Sequence, residues 1–304
     1  MKPTTLYGVI VMITYFWPST SWSNNNNNMN SPKDRRDLLN NFVTMVSSSC
    51  LIMPELAGAT YFDKKTGTQL PEEGEISSSI PRDWSDVDNI FDDDPKQLFT
   101  RLDKSPDSVF YTDPRFVEHV DENSVNTMTN FISDQVLKDG DSVLDLCSSW
   151  TSHIKASKEQ SLKRIVGLGM NEKELVANKL LTDWSIKDLN LNPVLPYDDS
   201  SFSVVLCQLS IDYLTQPLQI MKEVGRILQP GGRVYILFSN RLFLQKAVAL
   251  WTGKDDIDHA YTVACYLRFS NGGFKDIAAQ DLSTRNKKGK VIGDPLYVVS
   301  AIKS

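Results

Sequence analysis

LPYDDSSFSVVLCQLSIDYLTQPLQIMKEVGRILQPGGRVYILFSN, residues 195–240, decides the fold of this 304-residue chain. FSVVLCQLS (202–210) is apolar nearly throughout, as a strand covered on both faces must be. Pro217 then opens a helix on which Leu218, Met221, Val224 and Leu228 recur at helical spacing, and Pro230-Gly231-Gly232 ends it. RVYILFSN (233–240) is the next strand. Two strands joined by a helix pair in parallel, because the crossover has to carry the chain back to the same edge of the sheet.

Working outward, SVLDLC (142–147) and RIVGLG (164–169) read as strands with a helical stretch between them, and a third short strand covers about 184–188. Asn171 is placed to cap a helix running through 181, with Glu174 completing a capping box. After a helical region around 242–270, FKDIAAQDL (274–282) and DPLYVVSAIK (294–303) follow as strands joined by a polar loop with no helix. Without a crossover these two must pair as an antiparallel hairpin at the sheet edge. The expected fold class is α/β: a doubly wound, mostly parallel seven-stranded sheet ending in an antiparallel hairpin. A dinucleotide dehydrogenase is disfavoured, since it would keep its crossover rhythm to the end.

Composition bounds the function. At 41% hydrophobic the chain can bury a full core, and its net charge of −6 argues against a protein that tracks a phosphate backbone, so nucleic acid is not an expected partner. Cys50, Cys147, Cys207 and Cys265 show no C-x-x-C spacing and read as free thiols. His119, His153 and His259 are far apart in sequence, and no metal site is expected.

Residues 1–23 place Lys2 before the apolar run LYGVIVMITYFW and end in Ser21-Trp22-Ser23, the layout of a signal peptide, a run too short to span a bilayer comfortably. A buried N-terminal helix is the alternative, but the NNNNN tract that follows cannot continue a core. Residues 24–59, with Arg35-Arg36 and Ala57-Gly58-Ala59, resemble a twin-arginine signal of the kind that directs plastid proteins to the thylakoid lumen; an amphipathic helix or linker is the alternative. The expected address is therefore the secretory route, then a plastid and its thylakoid lumen, or otherwise the endomembrane lumen or the exterior. The processed chain is not expected to be an integral membrane protein. Residues 60–106, rich in Asp, Pro, Ser and Gly, read as a loosely structured connector with a short helix near Leu98 to Leu102, and 107–304 as the catalytic-size domain.

The block 195–240, with its LPY turn, apolar strand, helix and QPGG turn, closely resembles the second half of class I S-adenosylmethionine-dependent methyltransferases of the small-molecule type. The stretches FYTDPRFVEHVDE, VLDLCSSWTSH, GLGMNEKEL, KDLNLNPVLPY and FSNRLF resemble a branch with its own SSW and GMN motifs. In this alignment the family's glycines fall on Cys147, Ser149 and Thr151, and its ribose-binding acid on Gly169. The resemblance implies S-adenosyl-L-methionine as cofactor, with Asp145, Cys147, Ser148, Ser149 and Trp150 around its methionyl end, although a Trp after a strand is more often a core residue. It places Asp188 and Leu189 at the adenine, and Gln208 where the methyl meets its acceptor. Glycine is normal in that loop because the backbone must approach a carboxylate closely and open a helix toward it; the hydroxyls of Ser148 and Ser149 are expected to replace some of those contacts. Asn171 or Glu172 is expected to take over the ribose hydroxyls.

Methyl transfer from a sulfonium needs a base only where the acceptor loses a proton, and FYTDPRFVEHVD (110–121) offers His119 as that base, Tyr111 beside it and Arg115 to hold an acidic substrate. An ion pair between Arg115 and Asp121 with a packed His119 is the bland alternative. Asp212, Tyr213, Asn240 and Arg241 are candidate substrate contacts, although a capping Asn and a solvated Arg account equally well for the last pair. His153 is expected just inside the first helix in a structural role. The expected function is methyl transfer to a small molecule. The alternative is a binding or scaffold protein that kept the fold and lost the cofactor site, as Cys147, Ser149, Thr151 and Gly169 suggest.

Overall fold

The computed structural model of the chain describes residues 61–92 and 95–304. Cys50, the signal-like segment 1–23 and the twin-arginine-like segment 24–59 lie outside the described residues. Seven strands form the central sheet: β1 (Ser142–Leu146), β2 (Arg164–Gly169), β3 (Asp183–Ile186), β4 (Phe202–Gln208), β5 (Leu228–Phe238), β6 (Phe274–Asp281) and β7 (Tyr297–Lys303). Their order is β3-β2-β1-β4-β5-β7-β6. The first five run parallel, and β7 is antiparallel to both β5 and β6. The fold class is thus the expected α/β sheet with an antiparallel end. The last strand inserts between β5 and β6, so both its edges are hydrogen-bonded.

Alternate residues of the buried strands feed two cores on opposite faces, as the period of two requires. Leu144, Leu146, Val166, Leu168, Val205 and Cys207 pack with the helices α4 (Pro217–Ile227) and α5 (Asp256–Phe269). Val143, Ile165, Val204 and Leu206 pack with Met128, Phe131 and Ile132, at the end of α1 (Glu122–Phe131) and in the π turn that follows it. Each such side chain contributes about 1.5–3 kcal/mol when fully buried. α4 presents Ile220, Met221, Val224 and Ile227 inward. It ends at Ile227 rather than at Pro230, and Leu228 already belongs to β5. Gly225 is required there, since a Cβ would lie 2.1 Å from the carbonyl oxygen of Gly272.

Four expectations are corrected. Residues 61–106 are no loose connector: Ile76 (0% exposed), Ile80 and Phe91 (2%) are buried in the same core as the sheet. Trp84 stacks on Tyr261 at 6.4 Å and Phe91 on Tyr266 at 5.4 Å. A few aromatic anchors, spaced through polar sequence, hold a stretch that has little regular structure, and its short helix is Pro95–Leu98. The crossover between β1 and β2 is helical only at α2 (Ala156–Glu159), so His153 stands in a loop with φ 48°. The serines of that loop turn back onto Asp145, and such side-chain bonds compete with the helix. The helix after β2, α3 (Glu172–Ala177), has the expected Asn171 cap but stops short of 181, and in the 242–270 region only α5 is a regular helix. Among the described residues no helix is long and apolar enough to cross a membrane.

Candidate active site

A cleft of about 970 Å³ opens at the C-terminal ends of β1 to β5, where ligands bind in open α/β sheets. Its walls are the loops after those strands, the segment 111–120 ahead of α1, and the hairpin in which Tyr61–Phe62 pairs with Gln69–Leu70.

At the end of β1, Asp145 is 2% exposed and fully engaged. Its Oδ2 accepts from Ser148 Oγ (2.6 Å) and Ser152 Oγ (2.7 Å), and its Oδ1 from Gln208 Nε2 (2.9 Å). Burial pushes this carboxyl above its ordinary range against the pull of those three donors. Gln208 Nε2 also donates to Ser152 O, and its Oε1 faces His153 Nδ1 at 2.9 Å; His153 Nε2 in turn lies 3.0 Å from Glu118. Ser149 Oγ donates to Glu174 Oε2 (2.7 Å), and Asn178 Nδ2 to Ser149 O and Ser152 Oγ. The hydroxyls of Ser148 and Ser149 therefore bind the protein itself, which corrects the expectation that they grip a cofactor. What they do is shape the loop.

Cys147 takes φ 61°, the left-handed conformation that makes glycine usual at such a turn, at a cost of about 1–2 kcal/mol for a side-chain-bearing residue. Ser148 N donates to Leu168 O (2.8 Å), which draws the loop onto the end of β2. A Cβ on Gly169 would lie 2.2 Å from Ser148 O and 3.1 Å from Leu175 Cδ2. The missing glycines and the missing acid are thus one structural change: a bulkier loop rests on a position without a side chain.

Asn171 is buried and used up, Oδ1 accepting from the N–H groups of Lys173 and Glu174 while Nδ2 donates to Tyr111 O (2.8 Å) and Thr112 O. Glu172 is exposed and does not line the cleft. Neither fits the ribose role expected of it. Glu174, one turn on, does line it; its Oε1 accepts from Arg115 N (2.7 Å) instead of closing the capping box. Asp188 lines the cleft with Oδ1 closing a turn onto the N–H groups of Asn190 and Leu191, and Leu189 and Asn190 lie beside it. Trp150 is half-buried in the wall and its Nε1 donates to Val117 O (3.2 Å), so it belongs to the cleft and not to the core.

The segment 111–120 brings Tyr111, Arg115 and His119 to the same cleft. Phe243, after β5, meets His119 edge-on at 5.4 Å and Phe110 at 5.5 Å, and tilts against Tyr213 at 6.1 Å. Partial burial, then the Arg115 guanidinium, pushes His119 below its ordinary value, which keeps it neutral; burial raises Tyr111 and Tyr213. Asp121 caps α1 through Ser124 N and forms no pair with Arg115.

Asp212 is 4% exposed, lies outside the cleft lining and leaves Oδ2 without a hydrogen-bond partner, so it is no substrate contact. Burial pushes it up to about 7. Tyr213 lines the cleft, its hydroxyl accepting from Phe243 N. Asn240 and Arg241 also line it, yet Arg241 is no solvated arginine: it bridges Asp63 of the N-terminal hairpin and Asp294 ahead of β7. Asn240 Nδ2 donates to Asp63 Oδ2 (2.9 Å). Sequence reasoning missed Glu118, Ser152, Asn178 and Phe243, and the bonds of Glu174 to Ser149 and Arg115; His153 is structural as expected, though in a loop. The run of small polar residues from 148 to 152, directly after an apolar strand, was the available signal.

Residues 144–236 match a family model described as a methyltransferase domain. The matched segment runs from β1 into β5 and carries the loops that build half of the cleft. The chain is similar to a demethylmenaquinone methyltransferase of Lactobacillus johnsonii, 32% identical over 109 residues, which is 33% of this chain and 45% of that protein. It is likewise similar to the chloroplastic 2-phytyl-1,4-beta-naphthoquinone methyltransferase of Arabidopsis thaliana, 31% identical over 116 residues, 34% of this chain and 44% of that one. The chain thus spans less than half the length of these curated relatives. Among solved structures it is similar to an S-adenosylmethionine dependent methyltransferase from Mesorhizobium loti, with TM-score 0.40, 15% identity, and coverage of 54% of this chain and 91% of that one.

Proposed function

We propose that this chain binds S-adenosyl-L-methionine in the cleft and transfers its methyl group to a small planar, hydroxyl-bearing aromatic acceptor of the quinol type. The observation that carries the reading is the division of the cleft: a polar half built on the loops after β1, β2 and β3, and an aromatic half of Tyr111, Tyr213 and Phe243. The names of the two curated relatives, both for methyl transfer to naphthoquinone-type molecules, support the acceptor class. A volume of about 970 Å³ lies at the upper end of the range of roughly 300–1,000 Å³ usual for ligand sites, room for cofactor and acceptor together.

The polar half fits the cofactor. Among the described residues no acceptor takes the N–H groups of Ser149, Trp150 or Thr151, the loop that faces the methionyl end. Asp188 keeps Oδ2 uncommitted for an adenine amino group, and Glu174, with a lone pair to spare on each oxygen, takes the ribose role that Gly169 cannot fill. Bound there, the cofactor supplies a methyl group already activated on a sulfonium. The protein's share is positioning: Phe243 and Tyr213 hold the ring plane, Trp150 and Val117 close the wall against water, and neutral His119 accepts the acceptor's hydroxyl proton.

For the compartment, we propose the address read from residues 1–59: entry through the secretory route and delivery to a plastid.

Calorimetric titration of the folded full chain with S-adenosylhomocysteine tests the cofactor half, and absence of heat at millimolar ligand overturns it. Labelled-methyl transfer to 1,4-naphthohydroquinone tests the acceptor half; cofactor binding with no transfer to any hydroxylated aromatic overturns that half, whereas failure to bind the cofactor leaves the binding or scaffold alternative standing.

A further inference from the structure

Arg115 is held in an unusual way for a cation at a cleft. Its guanidinium lies over the Phe110 ring at 4.0 Å, with the rings of Phe243 at 5.3 Å and Tyr111 at 5.9 Å. One N–H group donates to Phe110 O (3.0 Å), and among the described residues no carboxylate pairs with it. Its own backbone is fixed by the Glu174 carboxylate, so the side chain starts from a rigid point. Three other part-buried arginines are neutralised, Arg101 by Asp107, Arg233 by Asp141, Arg241 by Asp63 and Asp294, while Arg164, which also lies over a ring and donates to a carbonyl, stands outside the cleft. Arg115 has five N–H donors and spends one, and the plane of its fork suits a carboxylate.

The residues around it define the ligand. Tyr111, Tyr213, His119 and Phe243 share the cleft with Arg115, so an anion bound there sits beside a cluster of edge-on and tilted rings and within reach of the neutral imidazole. We infer that Arg115 forms an anion-binding subsite in the acceptor half of the cleft, selecting an aromatic acceptor that carries a carboxylate next to the hydroxyl or carbon to be methylated. This rests on the methyltransferase reading and narrows its acceptor from hydroxyl-bearing aromatics at large to those that also carry a carboxylate. Cation–π contacts keep the guanidinium in place without neutralising it.

The test uses the full chain saturated with S-adenosylhomocysteine and two probes that differ only in the carboxylate, 1-hydroxy-2-naphthoate and 1-naphthol, titrated by the fluorescence of the cleft tryptophans. The wild type is expected to bind the naphthoate about tenfold more tightly or better, as a charge-assisted bond of this kind implies. Arg115→Gln brings the two probes within about threefold of each other, and Arg115→Lys, which keeps the charge and loses the fork, falls between. Affinity for S-adenosylhomocysteine is expected to be unchanged in both variants. Equal binding of the two probes by the wild type overturns the inference without any variant. A loss of S-adenosylhomocysteine affinity in Arg115→Gln that matches the loss of naphthoate also overturns it, by assigning the arginine to the cofactor's carboxylate. Failure of the wild type to bind S-adenosylhomocysteine at all is the separate failure of the methyltransferase reading.

Discussion

Gly169→Asp restores the acid that the class I family carries at the end of its second strand, and in this protein it is expected to do harm. Ser148 O stands 2.2 Å from where the new Cβ would be, and a backbone carbonyl cannot rotate away as a side-chain tip does. Relief requires the 147–149 loop to lift. That breaks the 2.8 Å bond from Ser148 N to Leu168 O and the 2.6 Å bond from Ser148 Oγ to Asp145, each worth about 1 kcal/mol net, on top of overpacking at about 1–3 kcal/mol. The expected loss is about 3–5 kcal/mol, or roughly 6–20 °C in Tm at about 2–4 °C per kcal/mol for a body of this size. Gly169→Ala carries the same Cβ without the charge and is expected to show most of the loss. Urea unfolding gives the stability, and titration with S-adenosylhomocysteine reports whether the lifted loop still binds. If Gly169→Asp is as stable as the parent and binds S-adenosylhomocysteine more tightly, the claim that loop and strand end changed together is refuted.

Asp212→Asn tests the buried carboxyl whose pKa lies at about 7 in the folded protein, against an ordinary 3.8. A carboxyl raised in this way favours the folded state most below pH 4 and loses that contribution as pH climbs toward 7, so the variant is expected to flatten the urea midpoint between pH 4 and 7 and to be the more stable form at pH 8; a less stable variant at pH 8 would falsify this. Arg241→Ala leaves the buried Asp63 carboxylate without its cation and Asp294 with Lys65 alone, at a cost of about 3–5 kcal/mol. Limited proteolysis should then cut within 61–70 first, and an unchanged digestion pattern counts against the tie. Cys147→Gly relieves the left-handed strain and should leave stability within about 1 kcal/mol of the parent, whereas Cys147→Val, β-branched at φ 61°, should lose about 2 kcal/mol or more; equal stabilities would show that the turn relaxes.

Much of the sheet was legible because fully covered strands leave long apolar runs, as in FSVVLCQLS, and because the loop from 283 to 293 is visibly too polar for a crossover helix. The insertion of β7 beside β5 was not, since a hairpin's periodicity does not say which of its strands pairs inward. The connector was misjudged for a related reason. Composition averages over residues, and Ile76, Trp84 and Phe91 anchor it singly. In the site, the positions of Asp145, Trp150, Asp188 and Gln208 on one cleft follow from strand ends, which sequence locates well, while Arg115 and His119 reach it from the segment ahead of α1. Their bonding partners do not. Ser148, Ser149 and Asn171 each had a ligand and a neighbour competing for the same hydrogen bonds, and the neighbours, Asp145, Glu174 and Tyr111 O, come from parts of the chain that only the fold brings together.

The hairpin at 61–70 also sets where this protein can be cut. Proteolytic maturation at Ala57-Gly58-Ala59 would leave Thr60 as the new first residue and spare the whole wall that Arg241 anchors. A cut only four residues further on would remove Asp63, strand one face of Arg241 and unroof the cleft. Any trimming enzyme thus works within a margin of a few residues, and shortened forms meant to retain ligand binding should begin no later than Tyr61.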